Sequence, residues 1–218
     1  MNKIIFKEFE VEYIYNKKLK NSYIKIDKDF NIIVKTPNTS KVFINELLHD
    51  KEAWIQKQYL KFQQNRPKEI KLEDEVLLFG DIFSVDREEF LFLRQKLTRL
   101  KIVDEVNILK CYHIFYLNKA KEYLPDRVEY FAKIMKLQFK ELKFRKLKSR
   151  WGSCNSLGVI TLNSELIKVS KELIDYVVVH ELAHLVHMNH SREFHTLVDA
   201  YLPNSKLLRK ELKNIHLV

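Results

Sequence analysis

Glycine, proline and cysteine are scarce in this chain: its 218 residues include 3 glycines, 4 prolines and 2 cysteines. Because average proteins contain ~7% Gly and ~5% Pro, the scarcity excludes collagen-like and linker-like proteins and favours helices with few sharp turns. The cysteines, Cys111 and Cys154, lie far apart and outside any C-x-x-C pair. We therefore expect no disulfide framework, and a reducing cytoplasm fits this cysteine usage best.

Long apolar runs are also missing. Residues 1–13 alternate apolar and charged side chains, whereas a signal peptide needs an apolar stretch of ~7–15 residues. No run in the sequence approaches the ~18 apolar residues needed to span a bilayer. These absences predict a cytoplasmic protein with no membrane partner.

Apolar residues and positive charge are abundant. Hydrophobic residues make up 46% of the chain, which is enough to bury a core and excludes wholesale disorder. At about 100–200 residues per domain, the length allows one large domain or two small ones. The 39 Lys and Arg exceed the 29 Asp and Glu, which gives a net charge of +10. Such a balance makes a nucleic acid or a nucleotide a candidate partner without specifying the fold.

The patterning predicts an α+β protein whose small N-terminal portion is rich in strands. The segments predicted in this portion are strands at 3–14, 23–26 and 31–35 with a turn at 27–29, a helix at 42–64, and a strand pair at 76–79 and 82–85 around Gly80. We place a domain boundary between this N-terminal α+β portion, residues 1–95, and a helix-rich domain, residues 96–218.

The second domain is predicted to combine helices with one β-hairpin. Its predicted elements are a helix at 106–137 with a kink or boundary at Pro125, a hairpin of 142–148 with 158–162, a short helix capped by Asn163, a helix from Ser170 to about His187, and two last helices separated by Pro203. The helix that starts at Ser170 carries the main chemical motif of the sequence.

Residues 180–184 read H-E-L-A-H. On a helix, His180 and His184 lie one turn apart on one face, so both imidazoles can bind one Zn²⁺ at about 2.0–2.1 Å. Glu181 can then take a proton from the coordinated water, whose pKa the ion lowers to about 7. The competing interpretation is a structural helix whose histidines face solvent or are merely hydrogen-bonded. The apolar run before His180 favours the metal, because buried polar groups need partners.

The third metal ligand is open among several residues. We favour His190, because a helix ending near Asn189 lets the chain fold back, and Asn tolerates the left-handed conformation of such a turn. His187 lies one further helical turn along, where a straight helix cannot reach the same ion. His195 or a distant carboxylate could also fill this position, and we interpret His187 and His195 as partner or packing residues.

A second motif lies before the metal motif, at Arg150-Trp151-Gly152-Ser153-Cys154. The Trp-Gly pair indicates a packed turn that another part of the backbone approaches closely. Strand alternation places Lys146, Lys148 and Arg150 on one face, either as a solvated edge or as an anion-binding strip beside the metal. Cys154 as a nucleophile is a weaker hypothesis, since it needs a His base in space.

Two stretches together resemble a known family. They are R-K-L-K-S-R-W-G-S-C-N-S-L-G-V-I-T-L-N, residues 145–163, and Y-V-V-V-H-E-L-A-H-L-V-H-M-N-H-S-R-E-F, residues 176–194. The sequence resembles the YgjP-like metallopeptidase domain family and, more distantly, the SprT-like and WLM zinc proteases. This resemblance implies a helix-rich, zincin-like metallopeptidase core with a β-hairpin beside the active-site helix.

The resemblance also implies roles for residues. One Zn²⁺ per chain is expected on His180, His184 and His190, with Glu181 as general base. A strand at 158–163 is expected beside the active-site helix, where an extended substrate docks by strand addition. The candidate substrate-binding residues are Arg150, Trp151, Gly152, Ser153 and Ile160. One departure is His187, which stands where some zincins have the glycine of the turn after the second histidine.

We therefore expect a zinc-dependent hydrolase, and within that class a metallopeptidase acting on peptides through a metal-activated water. A second hypothesis is a metal-dependent nucleotide or phosphoanhydride hydrolase similar to a pyrophosphatase, because a basic strip can hold phosphates. A third is a nucleic-acid-associated protease, which the net charge of +10 motivates, although no DNA-binding motif is present.

Overall fold

The computed structural model describes residues 2–27, 31–64 and 70–215, and the side chains of all of these except residues 2 and 61–64. The chain forms two compact units, Met1–Arg66 and Pro67–Val218. Helices and strands are mixed in both units, which confirms the predicted α+β class. Part of the turn predicted at 27–29 lies outside the described residues.

The first unit is a four-stranded sheet with two helices. Its elements are β1 (Asn2–Phe6), β2 (Phe9–Tyr15), β3 (Tyr23–Ile26), β4 (Ile32–Thr36), α1 (Lys41–Asp50) and α2 (Glu52–Gln64). The strand order is β1-β2-β4-β3, with β2 and β4 parallel and the outer pairs antiparallel. Val11 and Val34 are fully buried against Ile44 and Leu48 of α1. The core of this unit therefore lies between the sheet and its helices.

Two elements of this unit differ from prediction. The strand expected at 3–14 is a hairpin, because Lys7 adopts a positive φ of 54° and reverses the chain between Phe6 and Phe9. The helix expected at 42–64 is two helices that meet at Lys51, whose φ of −103° and ψ of 7° end α1. Apolar periodicity continues across both breaks, so it does not reveal them.

The second unit surrounds one long helix. Its elements are β5 (Glu75–Leu78), β6 (Asp81–Ser84), a 3₁₀ turn (Glu88–Phe90), α3 (Leu91–Thr98), α4 (Glu105–Met135), β7 (Glu141–Arg145), β8 (Gly152–Cys154), β9 (Val159–Asn163), a 3₁₀ turn (Ser164–Lys168), α5 (Lys171–Ala183), α6 (Arg192–Tyr201) and α7 (Ser205–Leu212). Helix α4 packs against α5 through the core of the unit. Pro125 lies inside α4 and does not end it.

The three-stranded sheet beside α5 corrects the predicted hairpin. Its order is β7-β9-β8. Strand β7 pairs with β9 in parallel, with Phe144 opposite Leu162, and β8 pairs with β9 antiparallel, with Ser153 opposite Thr161. The prediction that 142–148 and 158–162 form a hairpin was wrong. Residues 152–154, which lie between these segments in the sequence, form a third strand, and this strand is the antiparallel neighbour of β9. The hairpin beside the active-site helix is β8–β9.

The division between the two units falls before the predicted domain boundary of residues 95 and 96. Val76 and Leu78 of β5, together with Phe90 and Leu93, are buried in the same apolar cluster as α4 and α5. These side chains join residues 70–95 to the core of the second unit. That residues 1–95 and 96–218 fold as separate domains stays a prediction.

No helix in the part of the chain that the structure describes is long and apolar enough to cross a bilayer.

Candidate active site

Helix α5 positions the central residues of the site. It begins after Ser170, whose side chain accepts a hydrogen bond from the N–H of Leu173 at 3.4 Å, as predicted. Its middle is apolar and buried, which fixes the rotation of the helix. His180 and Glu181 lie in its last turn, and His184 follows as the C-terminal cap.

Helix α5 ends at Ala183, before the predicted end near residue 187. A tighter turn follows, in which the N–H groups of Leu185 and Val186 donate to the carbonyls of Leu182 and Ala183 at 3.0 and 3.1 Å. Residues 184–190 are all described and none has a positive φ. The left-handed turn expected at Asn189 is therefore wrong, and the chain returns toward α5 through this tighter turn.

The main chain of His187 orients the ring of His184. The Nδ1 of His184 lies 3.0 Å from the carbonyl oxygen of His187. Because a carbonyl only accepts hydrogen bonds, Nδ1 carries a proton, and in the neutral tautomer Nε2 then keeps its lone pair. Residue 187 thus acts through its backbone.

The structure brings His180, His184 and His190 together. One ring nitrogen of each lies within 4.8 Å of the others, and the Nε2 atoms of His180 and His190 are 3.1 Å apart. His195 lies outside this group, since its ring stacks on His190 at 6.3 Å and its Nε2 faces Nη1 of Arg209 at 3.5 Å. Among the residues considered for the third ligand, the geometry favours His190.

Phe194 supports the three imidazoles, a role that no sequence pattern indicated. Its ring is fully buried, and its centroid lies 4.9 Å from His180, 4.6 Å from His184 and 4.9 Å from His190. Ser191 caps the start of α6 through the N–H of Phe194. The capping Ser was a local signal for α6, but only the tertiary fold shows which residues the phenyl ring contacts.

The surroundings of His180 and His190 favour neutral rings, which suits a metal site. The pKa of His180 is lowered to about 3, mainly because the ring is buried and to a smaller extent because protonated His184, His190, Arg209 and His195 would repel its charge. Burial also lowers the pKa of His190. Neutral imidazole offers the lone pair that a divalent ion needs. The three converging imidazole nitrogens therefore fit a metal ion, and nitrogen ligands suit zinc.

Glu181 lies beside the histidines against the backbone of β8. Its side chain is buried, and burial raises the pKa of its carboxyl to about 8, although the charge of Arg150 opposes this shift. A Cβ at Gly152 would lie 2.7 Å from Oε1, 2.8 Å from Cγ and 2.9 Å from Cδ of Glu181. Only glycine leaves room for the carboxylate there. The sequence predicted a close approach of backbone at the Trp-Gly turn, whereas the group that approaches Gly152 is the side chain of Glu181.

Replacing Gly152 by Ala is expected to lower kcat of the hydrolysis by about 10²-fold, the typical cost of a catalytic group misplaced by ~1 Å. The added methyl would overlap the Glu181 carboxylate, so the carboxylate must move. We would measure kcat and metal content for this variant and for Ser156→Ala, a change in the exposed loop after β8. Unchanged kcat in Gly152→Ala would contradict this role for the glycine.

A cavity of about 520 Å³ opens beside His180 and Glu181. The other residues that line it are Lys148, Ser149, Arg150, Trp151, Gly152, Tyr176, Val177, Arg209, Leu212, Lys213 and Ile215. Of the candidate substrate-binding residues, the structure places Arg150, Trp151 and Gly152 in this cavity. Ser153 is half-buried and does not line it.

Ile160 and its strand do not fit the predicted substrate contact. The side chain of Ile160 is 1% exposed and belongs to the core. Strand β9 lies between β7 and β8, so both of its edges are already paired. Strand addition on residues 158–163 was therefore wrong, because an added strand needs a free edge. The edge next to Glu181 is that of β8.

Asn163 holds the loop that precedes β8. Its side chain donates to the carbonyls of Leu147 at 2.8 Å and Arg150 at 3.0 Å, and accepts from the N–H of Leu147 at 3.3 Å and of Glu165 at 3.1 Å. The capping role predicted for Asn163 is the last of these bonds. Burial of this side chain in a full set of partners fixes the loop that carries Lys148 and Arg150.

Cys154 does not have the environment of a nucleophile. Burial and the nearby charge of Glu181 raise the pKa of its thiol to about 11. A reactive cysteine needs the thiolate, which a lowered pKa supplies. The thiol-protease hypothesis therefore has no support in this site.

A histidine pair on a helix end, a third histidine returning from outside it and a buried carboxylate at their side are the arrangement of a metal-dependent hydrolase. Sequence comparison agrees with this class. The chain belongs to the YgjP-like metallopeptidase domain family, whose model matches residues 20–215.

Two solved structures resemble parts of the chain. The metallopeptidase zymogen abylysin of Pyrococcus abyssi is 27% identical, with 44% of this chain and 99% of that chain covered and a TM-score of 0.39. The metallopeptidase zymogen jannalysin of Methanocaldococcus jannaschii is 21% identical, with 41% of this chain and 91% of that chain covered and a TM-score of 0.37. A comparison with curated proteins found no match.

Proposed function

We propose that this metallopeptidase domain is a zinc-dependent peptidase, with His180, His184 and His190 as the metal ligands and Glu181 as the general base. The observation that carries this proposal is the convergence of three imidazole nitrogens within 4.8 Å, next to a buried carboxylate on an open cavity. A bound Zn²⁺ would supply Lewis acidity, polarising the scissile carbonyl and lowering the pKa of water to about 7.

The ligand set supports a single divalent ion. Each of His180, His184 and His190 offers one nitrogen, which leaves a coordination position open for chemistry, as in catalytic rather than structural zinc sites. The carbonyl of His187 fixes the tautomer of His184 with Nε2 free to coordinate. The buried ring of Phe194 packs against all three ligand rings, which restricts their rotation.

Glu181 moves the proton in this proposal. Its carboxylate accepts a proton from the attacking water as the water oxygen bonds to the peptide carbonyl carbon. The resulting carboxylic acid then donates that proton to the amide nitrogen as the C–N bond breaks. The burial that raises the pKa of Glu181 also brings its basicity nearer to neutral pH, which suits a group that both accepts and donates a proton.

The β8 edge is the proposed docking site for an extended peptide. Among the strands that the structure describes, Gly152–Cys154 pair with β9 alone. The N–H and C=O groups on the other side can pair with a substrate backbone. Because Gly152 both begins this strand and contacts Glu181, a peptide on this edge would pass directly beside the general base.

A second candidate function is hydrolysis of a phosphoanhydride, as in nucleotides. The observation that favours it is the set of basic residues on the cavity, namely Lys148, Arg150, Arg209 and Lys213. Cations of this kind stabilise the charge of a transferring phosphoryl group. A nucleic-acid-associated protease remains a prediction from the net charge alone.

One set of assays tests the proposed function. We would determine the metal content of the purified chain, then compare unfolded peptides and nucleoside triphosphates as substrates with Zn²⁺, Mn²⁺ or Mg²⁺ added. We expect about one zinc per chain and peptide cleavage that stops on chelation and returns with Zn²⁺. Triphosphate hydrolysis without peptide cleavage would favour the second candidate. A metal-loaded chain that cleaves neither would contradict both.

A further inference from the structure

Two separate parts of the chain bring cations to the cavity. The loop before β8 contributes Lys148 and Arg150, and the end of α7 contributes Arg209 and Lys213, one helical turn apart. The same cavity contains His180 and Glu181. The basic side chains therefore surround the position where a bond would be cleaved, although only the loop cations were anticipated.

None of these four cations forms a salt bridge with an acidic residue that the structure describes, although the charge of Arg150 acts on Glu181. Elsewhere in this unit cations are neutralised: Arg127 donates two hydrogen bonds of 2.8 Å to Asp175, and Lys168 pairs with Glu165. Glu181 is the one acidic residue among those lining the cavity. The cavity thus has an uncompensated positive charge, which attracts and concentrates anions.

Both sources of charge are held by buried structure. Asn163 fixes the loop through its four side-chain hydrogen bonds. Helix α7 is anchored by Leu208 and Leu212, which pack on the core, and by a hydrogen bond from Ser205 to Asp199. Because the backbone positions are fixed, less ordering entropy is lost when a ligand binds.

We propose that Lys148, Arg150, Arg209 and Lys213 form an oxyanion-binding subsite that selects substrates with an anionic group close to the bond that is cleaved. Arginine is suited to this task, since its planar fork donates paired hydrogen bonds to carboxylate or phosphate. The ligand chemistry is an oxyanion, either the carboxylates of an acidic peptide or the phosphates of a nucleotide. The position of the cleaved bond rests on the proposed function, but oxyanion binding does not.

Binding to a variant that cannot turn over substrate tests the subsite separately from catalysis. We would use the full metal-loaded chain with Glu181→Gln and Trp54→Phe, so that Trp151, which lines the cavity, is the single fluorescent tryptophan. The probes are inorganic triphosphate, a capped peptide rich in glutamate, and the same peptide with glutamine in place of glutamate. Titrations run at about 50 and 200 mM salt, since screening weakens such contacts.

We expect at least one anionic probe to bind about 10-fold tighter than the neutral peptide at low salt, and Arg209→Gln to remove about 10-fold of that affinity. Lys210→Gln is the matched control, because it removes the same charge from the neighbouring exposed position, which does not line the cavity. Both variants keep the three histidines, so any contact between probe and metal cancels in their ratio. Arg150→Gln repeats the test from the loop side.

Each outcome decides the proposal. If only triphosphate binds in an Arg209-dependent way, the subsite is assigned to phosphates. If only the acidic peptide does so, the subsite is assigned to carboxylates. Either result supports an oxyanion subsite. Equal binding of charged and neutral probes, or equal losses in Arg209→Gln and Lys210→Gln, would overturn it. Selective anion binding without peptide cleavage by the unsubstituted chain would contradict the peptidase proposal and leave the subsite standing.

Discussion

Replacing Glu181 by Gln is expected to lower kcat by about 10²–10⁴-fold while the chain keeps its metal, because this is the usual contribution of a general base. Glutamine has nearly the shape of glutamate and fits against Gly152, but its amide cannot accept the proton of the attacking water. The three histidines are unchanged, so metal binding should persist. Peptide hydrolysis and metal content, measured on one preparation, check both parts.

A matched control lies on the same helix. Glu172 is exposed in the first turn of α5, far from His180 along the helix, so Glu172→Gln should keep full activity. Glu181 is buried without an ion-pair partner among the described residues, and removing its charge should not destabilise the fold. A loss of turnover in this variant would therefore not reflect unfolding. Near-normal turnover in Glu181→Gln would remove the general base from the mechanism.

The parts of the site that follow from local geometry were predictable from the sequence. The helical period alone places His180 and His184 on one face, and Ser170 and Asn163 cap the elements they were expected to cap. These features depend on residues only a few positions apart. Their prediction needs no knowledge of how distant parts of the chain pack.

The residues that sequence reasoning missed act across long separations. Phe194 packs on the imidazoles from another helix, and Arg209 reaches the cavity from near the C-terminus. Gly152 was named as a substrate-binding candidate and lines the cavity, but its close contact with Glu181, 29 positions later, was not predicted. The local sequence around these three residues does not indicate which distant residues they contact, because tertiary packing determines those contacts.

Strand pairing failed for a similar reason. The alternation in residues 142–148 and 158–162 correctly indicates two strands, but alternation is the same for parallel and antiparallel neighbours. The basic strip shows the same limit: Lys148 and Arg150 line the cavity, whereas Lys146 lies 3.9 Å from the carboxylate of Glu165. Residues predicted to share one face of a strand thus have different surroundings, the cavity for two of them and Glu165 for the third.

Removing the ring of His190 is expected to lower metal affinity more than 100-fold, because loss of a ligand should exceed the ~10–100-fold cost of losing an outer-shell partner. His190 has its Nε2 3.1 Å from that of His180, so it completes the set of three nitrogens. Zinc content after dialysis against a zinc buffer measures the change. Thermal unfolding provides a second readout, since an ion that binds only the folded chain raises Tm.

His187→Ala and His195→Ala are the matched controls for His190→Ala. The contribution of residue 187 to His184 is a backbone carbonyl, which alanine retains. The ring of His195 stacks on His190 and faces Arg209, and its loss leaves all three converging nitrogens in place. Both controls should keep zinc and its stabilising effect on Tm. Zinc retained in His190→Ala but lost in His195→Ala would instead make His195 the third ligand.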